Sequence, residues 1–285
     1  MTDSPKYVLL NGELIHSSAL AIPVTSRGFM YGDGCFETFR SYQGKLLHFD
    51  EHFARLQLGL NYLGMDSSVD SETLLKQVGL LLQKNELNDV EAAFRIQCVR
   101  KGDAGFATTS SNADYIITTR ALPEPRKKII LNTVETRAIP EVALTRKVKL
   151  TNSINYIKAA QEANQLGGDD ALMLTVDKVV SETTIANIFW VKGNRVFTPS
   201  ISCDLLPGVT RKIALQLLSI MDDIDVVEGK FSLNEVINAD AVFCTNSLRE
   251  IFPIAQIDKT SFDEVNPIVK CLQKDFELYK KTNLK

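Results

Sequence analysis

Two prolines near the middle of the chain, Pro123 and Pro125, divide the sequence of 285 residues into two parts. A proline fixes its own φ angle and pushes the residue before it towards extended backbone, so a helix or a central strand cannot continue through this point. We therefore predict a linker at residues 123–128 and two lobes at residues 1–122 and 129–285. A chain of this length can bury a hydrophobic core in each lobe.

In the first part, two turn signals each separate a pair of apolar stretches. Asn11-Gly12 and Gln43-Gly44 favour the positive φ angles of tight hairpins. Asp50 is predicted to cap a helix that ends at Gly64. The predicted strands span residues 7–10, 13–16, 35–42, 45–49, 92–99 and 115–121, and a second helix spans residues 71–87.

In the second part, stretches with the two apolar periodicities alternate along the chain. Strands are predicted at residues 128–136, 171–176, 179–182, 188–191, 195–198 and 241–245, and helices at residues 154–166, 210–221 and 267–281. The mixture of both element types in both parts predicts an α/β (α+β) fold with two lobes.

Charge and cysteine content exclude several classes of function. The 32 basic and 35 acidic residues give a formal charge of −3 without long runs of either sign, so we expect no nucleic-acid surface. No apolar run is long enough to cross a bilayer, and the first residues are polar rather than signal-like. Five scattered cysteines without a CxxC pair indicate reduced thiols and a cytoplasmic protein. The three histidines lack the spacing of metal ligands, so we expect no metal.

Lys149 and Glu182 are the two residues with the clearest potential for catalysis. Lys149 lies just before a predicted helix, where a lysine that loses its hydration can form a Schiff base, although most lysines are simply solvated. Glu182 lies at the end of an apolar strand. Its carboxylate suits a protonated pyridine nitrogen, or alternatively caps the turn that follows.

Three segments have the character of phosphate sites. The amides of Val209 and Thr210 lie at the start of a predicted helix, which attracts anions. Asn246 and Ser247 follow a strand and offer amides and polar side chains. Arg55 lies beside the apolar stripe of the first long helix, where its guanidinium group is either an exposed charge or a phosphate ligand.

The segment from Arg27 to Arg40 resembles the opening signature of class IV (fold-type IV) pyridoxal-phosphate enzymes. This family includes branched-chain aminotransferases, D-amino-acid aminotransferases and aminodeoxychorismate lyases. Further blocks follow in family order, and the whole match runs from about Asn11 to Ile257. They are Glu51–Leu56, Lys149 with Glu162-Ala163 after it, Val180–Trp190, Leu206–Arg211 and Thr245–Pro253.

The resemblance implies a D-amino-acid-aminotransferase-like fold, with a smaller N-terminal α/β lobe, a larger C-terminal lobe and pyridoxal 5′-phosphate between them. It also implies a homodimer in which a loop of the partner completes each site, and a small-molecule amino substrate. Lys149 would carry the cofactor as a Schiff base and Glu182 would pair with its pyridine nitrogen. The phosphate ligands would be Arg55, Val209, Thr210, Asn246 and Ser247.

Within the family, three details resemble aminodeoxychorismate lyases. They are Thr38 after Phe36-Glu37, the segment Ala186–Asn194, and the block Thr245–Pro253. This resemblance implies that the chain converts 4-amino-4-deoxychorismate to pyruvate and 4-aminobenzoate for folate synthesis, with Lys149 as the base and Thr38 assisting proton transfer. Two alternatives stay open: an aminotransferase for branched-chain or D-amino acids, and a non-catalytic binding protein of the same fold.

The substrate contacts are expected in the first lobe. Arg100 is our candidate for a substrate carboxylate and Arg95 is the second, and either is alternatively a solvated strand residue. Phe36, Thr38 and Arg40 alternate onto one strand face.

Tyr31 resembles a residue near the substrate in aminotransferases, and it is equally well explained as a structural tyrosine. The tyrosine that branched-chain enzymes place five residues after the lysine is Ile154 here. Tyr156 lies two residues further on.

Overall fold

The computed structural model describes residues 5–66, 70–102, 105–108, 110–122, 124–125 and 128–285. It divides the chain into two compact units. Unit 1 consists of Met1–Glu124, Val148–Ser153 and Asn283–Lys285, and unit 2 consists of Pro125–Lys147 and Ile154–Thr282. Two short segments from the second half of the chain therefore belong to unit 1. Of the predicted linker, Pro123, Arg126 and Lys127 lie outside the described residues.

Unit 1 contains one antiparallel sheet with the strand order β2-β1-β6-β5-β3-β4. Its strands are β1 (Tyr7–Leu10), β2 (Glu13–His16), β3 (Gly34–Tyr42), β4 (Lys45–Leu46), β5 (Ala92–Arg100) and β6 (Ala113–Ala121), and its helices are α1 (Arg27–Tyr31), α2 (Phe49–Leu63) and α3 (Ser71–Lys84). Both predicted hairpins are confirmed, because Asn11 and Gln43 have φ angles of 52° and 50° and each precedes a glycine with positive φ.

The start of α2 differs from the prediction. The strand β4 ends at Leu46, and His48, with a φ of 51°, directs the chain into the helix at Phe49. Asp50 therefore lies in the first turn with Glu51 rather than at the cap, and the predicted cap was wrong. Acidic side chains in a first turn still stabilise the helix, because they face the positive end of its dipole.

Unit 2 contains two five-stranded sheets with the orders β12-β11-β10-β13-β14 and β16-β15-β7-β8-β9. Its strands are β7 (Ile130–Thr133), β8 (Asp170–Leu174), β9 (Val180–Thr183), β10 (Asn187–Lys192), β11 (Arg195–Pro199), β12 (Asp225–Gly229), β13 (Ala241–Asn246), β14 (Glu250–Ile254), β15 (Gln256–Ile257) and β16 (Thr260–Ser261). Its helices are α4 (Ile154–Gln165), α5 (Val209–Leu218), α6 (Leu233–Ile237) and α7 (Pro267–Asn283).

The core of unit 2 joins its two sheets. Leu172 and Val180 from one sheet pack in the same cluster as Ile188, Trp190 and Val242 from the other. This packing buries both β9 and β10 and so fixes the turn that connects them. No helix in the described part of the chain is long and apolar enough to span a membrane.

Candidate active site

Lys149 lies in a short extended segment that pairs with the start of β3 in unit 1. The Phe36 amide donates to the Lys149 carbonyl at 2.8 Å, and the Thr151 amide donates to the Gly34 carbonyl at 2.9 Å. Gly34 permits close packing on both sides, since a Cβ there would lie 2.3 Å from the Cys98 carbonyl oxygen of β5 and 3.2 Å from Thr151 Oγ1. The Lys149 backbone is thereby fixed, and its Nζ lies 4.8 Å from the centroid of the Phe36 ring.

The strand β3 presents two different faces. Phe36, Thr38 and Arg40 are half-buried, whereas the residues between them are buried, so the predicted alternation is confirmed. On β5, Arg95 is the partner of Thr38 in the strand register. Phe36, Thr38 and Arg95 therefore share one face, which also adjoins the Lys149 ammonium group.

Arg95 extends across the Phe36 ring. Its guanidinium carbon lies 3.6 Å from the ring centroid, and its Nε donates to Gln97 Oε1 at 3.0 Å. Burial lowers the pKa of Arg95, because the charged guanidinium is partly removed from water. A bound anion would relieve this cost.

The other arginines of unit 1 that lie in buried or half-buried positions have counter-charges. Arg27 and Arg100 pair with Asp33, Arg40 with Glu91 and Arg55 with Glu37. Within the described part of unit 1, Arg95 is the half-buried arginine for which no carboxylate lies within ion-pair distance. This property makes Arg95 a stronger candidate for an anionic substrate group than Arg100.

Arg100, the first candidate from the sequence, is engaged in structural contacts. Its Nε donates to Asp33 Oδ2 at 3.0 Å, and its terminal nitrogens donate to the carbonyls of Leu63, Gly64 and Ser110. Arg27 donates to the same Asp33 oxygen at 2.8 Å. The guanidinium of Arg100 thus joins the end of α2 to the end of β5.

Tyr31 lies at the end of α1. Its hydroxyl oxygen accepts a hydrogen bond from the Gly105 amide at 3.0 Å, and its ring centroid lies 5.3 Å from that of Phe106. The hydroxyl can still donate its own proton, since a tyrosine both donates and accepts. Tyr31 therefore has a structural contact that is compatible with the predicted contact to substrate.

Arg55 belongs to a buried cluster with Glu37 and His52. It donates from Nε to Glu37 Oε1 at 2.6 Å and from its second terminal nitrogen to Oε2 at 2.9 Å, and His52 Nδ1 lies 2.8 Å from Oε2. Burial alone would raise the pKa of Glu37, but the charge and hydrogen bonds of Arg55, with those of His52, outweigh it and lower the pKa to about 2. The side chain of Arg55, which belongs to α2, is consequently held in one orientation against Glu37 of β3.

Glu182 is only 5% exposed, and both of its carboxylate oxygens accept hydrogen bonds. Its Oε1 accepts from the Tyr156 hydroxyl at 2.9 Å and faces a terminal nitrogen of Arg146 at 3.5 Å. Its Oε2 accepts from Asn187 Nδ2 at 3.2 Å and from the Leu206 amide at 3.1 Å.

The turn after Glu182 is capped by a different residue. The hydroxyl of Thr183 accepts from the amides of Ile185 at 3.3 Å and Ala186 at 2.9 Å. The carboxylate of Glu182 is directed instead towards side chains of β10 and α4. Capping of this turn therefore does not explain a glutamate at this position.

The start of α5 is an open helix end. The first intrahelical hydrogen bond runs from the Lys212 amide to the Gly208 carbonyl, so the amides of Val209 and Thr210 point out of the helix. At Gly208, a Cβ would lie 2.2 Å from Asn187 Oδ1. The glycine thus allows the helix end to approach Asn187, and its amides suit an anion.

Asn246 organises the second candidate phosphate segment. Its Oδ1 accepts from the amides of Leu248 at 3.0 Å and Arg249 at 2.7 Å, which forms a tight turn around Ser247. The neighbouring Thr245 hydroxyl is buried and has no hydrogen-bond partner among the described residues. A buried hydroxyl in this state suits an additional acceptor such as a phosphate oxygen.

Asn187 connects these parts of unit 2. It contacts Glu182 and the Leu206 carbonyl through Nδ2, and its backbone is the strand partner of Thr245. The sequence alone did not identify Asn187, Arg146 or Gln97 as site residues. The only signal was the position of Asn187 within the block Val180–Trp190.

Comparisons with known proteins identify the family and the fold of this chain. The model of the family described as "Amino-transferase class IV" matches residues 34–257. A putative branched-chain-amino-acid aminotransferase of Methanocaldococcus jannaschii is 31% identical over 277 residues, which cover 95% of each chain. An aminodeoxychorismate lyase of Bacillus subtilis is 27% identical over 266 residues, covering 90% of this chain and 88% of the relative. The PLP form of a branched-chain amino acid aminotransferase from Thermobaculum terrenum superposes with a TM-score of 0.89 at 22% identity, over 99% of this chain and 98% of that chain.

Proposed function

Because the chain belongs to the class IV aminotransferase family, we propose that it is a pyridoxal-phosphate enzyme that releases pyruvate from 4-amino-4-deoxychorismate and leaves 4-aminobenzoate. The residues present fit this cofactor. Unit 1 offers a fixed lysine, and unit 2 offers a buried carboxylate, an open helix end and an unsatisfied threonine hydroxyl. When bound, the cofactor supplies an electron sink for the carbon that carries the substrate amine.

The proposed contacts between the protein and the cofactor follow from the chemistry of the side chains and backbone amides. Lys149 would hold the cofactor aldehyde as a Schiff base, and Glu182 would accept the proton of its pyridine nitrogen. The proposed phosphate ligands are charged and polar groups. These are Arg55, the amides of Val209 and Thr210, and the turn that contains Asn246 and Ser247.

The observation that carries the proposal is the half-buried Arg95, which has no carboxylate partner among the described residues and lies on the same strand face as Thr38 and Phe36. A guanidinium group in this position suits the carboxylate of an acidic substrate, and the adjacent ring suits an unsaturated six-membered ring. The substrate 4-amino-4-deoxychorismate has both features.

Lys149, released when the substrate amine takes its place on the cofactor, would act as the base that removes the proton from the carbon bearing the amine. The bond between the neighbouring ring carbon and the enolpyruvyl oxygen would then break, the ring would become aromatic, and the departing enolate would take up a proton to give pyruvate. Thr38 would assist the transfer of a proton near the lysine. An aminotransferase expels no such group from its substrate, so it does not need this additional proton transfer. A hydroxyl at Thr38 is therefore consistent with a lyase.

The test is to add 4-amino-4-deoxychorismate to the cofactor-loaded protein in the absence of any keto acid. We expect pyruvate and 4-aminobenzoate in equal amounts, and no reaction with the Lys149→Ala variant. A cofactor-loaded protein that releases neither product would contradict the lyase proposal while leaving the family assignment intact.

The second candidate is an aminotransferase for branched-chain or D-amino acids. It is favoured by the relative from Methanocaldococcus jannaschii, which is 31% identical over 95% of this chain. Such an enzyme would form one keto acid per bound cofactor from an amino acid alone. A non-catalytic role is disfavoured, because Lys149, Glu182 and Arg55 are all retained.

We further propose that the protein acts as a homodimer in the cytoplasm, as part of folate synthesis. In unit 1, Phe29 and Met30 of α1 are 74% and 44% exposed, and Phe106, close to Tyr31 of the same helix, is 89% exposed. A second copy would cover such an apolar patch. Light scattering should give about twice the 31.7 kDa of one chain.

A further inference from the structure

Tyr156 and Arg146 form a pair that contacts Glu182 in unit 2. The Tyr156 hydroxyl donates to Glu182 Oε1 at 2.9 Å, and the guanidinium carbon of Arg146 lies 4.8 Å from the Tyr156 ring centroid. A terminal nitrogen of Arg146 faces the same carboxylate oxygen at 3.5 Å. The roles proposed above for Glu182 do not include either residue.

Arg146 is fixed in this arrangement. It is 7% exposed, and its own amide donates to Glu141 Oε2 at 2.7 Å. Its Nε is buried and has no hydrogen-bond partner among the described residues. Glu182 is the carboxylate that lies within ion-pair distance of its guanidinium group in the described part of the chain. Because a buried cation is costly without a counter-charge, Arg146 and Glu182 constrain each other.

Tyr156 stabilises this pair from two directions. Its ring packs against the guanidinium face of Arg146, which favours the cation. Its hydroxyl contacts the carboxylate directly. A phenylalanine at this position would keep the first contact and lose the second, so the two contributions can be separated by experiment.

The two donors on Glu182 Oε1 lie at different distances, 2.9 Å for the Tyr156 hydroxyl and 3.5 Å for Arg146. A carboxylate has about four lone-pair sites, and the four neighbouring donors can occupy all of them. The Arg146 contact at 3.5 Å is the longest, so a further donor would displace it first. The Tyr156 hydroxyl, at 2.9 Å from Oε1, would then still donate to it.

We propose that Tyr156 is a positioning residue whose hydroxyl, supported by Arg146, holds Glu182 as an acceptor for the pyridinium proton, so that this proton stays on the ring nitrogen. The inference rests on the proposed pairing of Glu182 with the cofactor. It follows from hydrogen bonding: a carboxylate whose charge is shared among several donors competes less for one more proton. The electron sink is strongest when the nitrogen is protonated.

The test uses pyridoxal 5′-phosphate labelled with nitrogen-15 in the ring, bound to the full-length protein. The nitrogen resonance reports directly whether the ring nitrogen carries a proton. In Tyr156→Phe we expect the resonance to move from the protonated position towards that of a neutral pyridine. We also expect kcat to fall about tenfold while KM changes less than about twofold, because a single hydrogen bond to a charged group is lost.

Tyr62→Phe is the matched control, because Tyr62 is 49% exposed on α2. It should leave both the resonance and kcat unchanged. Arg146→Lys keeps the charge but loses the flat guanidinium face, and it should move the resonance in the same direction by a smaller amount.

Glu182→Gln distinguishes failure of the inference from failure of the proposed function. If Glu182→Gln leaves the resonance unchanged, Glu182 is not the partner of the ring nitrogen, and both the proposed pairing and the inference about Tyr156 are overturned, whereas the lyase reaction is tested separately by product release. If Glu182→Gln moves the resonance but Tyr156→Phe and Arg146→Lys do not, only the inference about Tyr156 is overturned.

Discussion

Arg95 and Arg100 show what a sequence can and cannot say about a single residue. Both lie on β5, which was predicted at residues 92–99 and extends to Arg100, and both were candidates for a substrate carboxylate. What separates them is a long-range contact: Asp33 is 67 residues away from Arg100 in sequence and lies next to it in the fold. Lys149 and Glu182 were proposed from their local segments and from the family resemblance, whereas Tyr156 of α4 and Arg146, which contact Glu182, gave no local signal.

The two arginines should respond differently to the same substitution. Arg95→Gln should raise KM for a carboxylate substrate about a hundredfold and leave stability nearly unchanged, since it removes a partly buried charge that has no carboxylate partner among the described residues. Arg100→Gln should lower the free energy of unfolding by about 2 kcal/mol, because Asp33 and several carbonyls lose a donor. Steady-state kinetics and urea unfolding of both variants measure this. Equal effects on KM would contradict the assignment.

At the scale of elements, strands and helices with strong periodicity or a clear turn signal were predicted, and four strands of unit 2 were not. The hairpins at Asn11-Gly12 and Gln43-Gly44 follow from local turn chemistry, and they were confirmed. The strands β12, β14, β15 and β16 were missed. The strand β15 has only two residues and pairs with β7, so Gln256 meets Ile130 in the register. Such a pairing leaves no periodic signal in either segment.

The junction between β10 and α5 should be sensitive to one added methyl group. Gly208→Ala brings a Cβ to within 2.2 Å of Asn187 Oδ1, and Asn187 in turn contacts Glu182. The φ of Gly208 is −70°, so backbone strain is not involved. We expect cofactor affinity to fall about tenfold, measured by absorbance titration.

Gly79→Ala is the control for this substitution. A Cβ at Gly79, within α3, meets nothing within 4 Å, so the variant should gain about 0.5–1 kcal/mol of stability with unchanged cofactor affinity. An affinity for Gly208→Ala equal to that of Gly79→Ala would show that the start of α5 plays no part in cofactor binding.

At the scale of the whole molecule, each unit is assembled from separate stretches of the chain. The proline pair predicts a single division of the chain into two lobes. Local patterns could not predict that residues 148–153 and 283–285 belong to unit 1. Both segments are too short to show periodicity, and each is held by backbone pairing to β3 or to the β4 region. The return of the first segment has a functional consequence, because it gives Lys149 a rigid backbone within unit 1.

The second returning segment provides a test of this assembly. The Leu46 amide donates to the Lys285 carbonyl at 2.9 Å, the Lys285 amide donates back at 3.1 Å, and Leu284 forms a bridge with Leu47. Deleting residues 283–285 should lower the free energy of unfolding by about 1–3 kcal/mol and accelerate hydrogen exchange at Leu46, since two backbone hydrogen bonds are lost. Lys285→Ala is the control, because it keeps both hydrogen bonds and removes only a side chain that is 86% exposed. If hydrogen exchange at Leu46 is the same in the deletion variant and in Lys285→Ala, the segment does not stabilise unit 1 in solution.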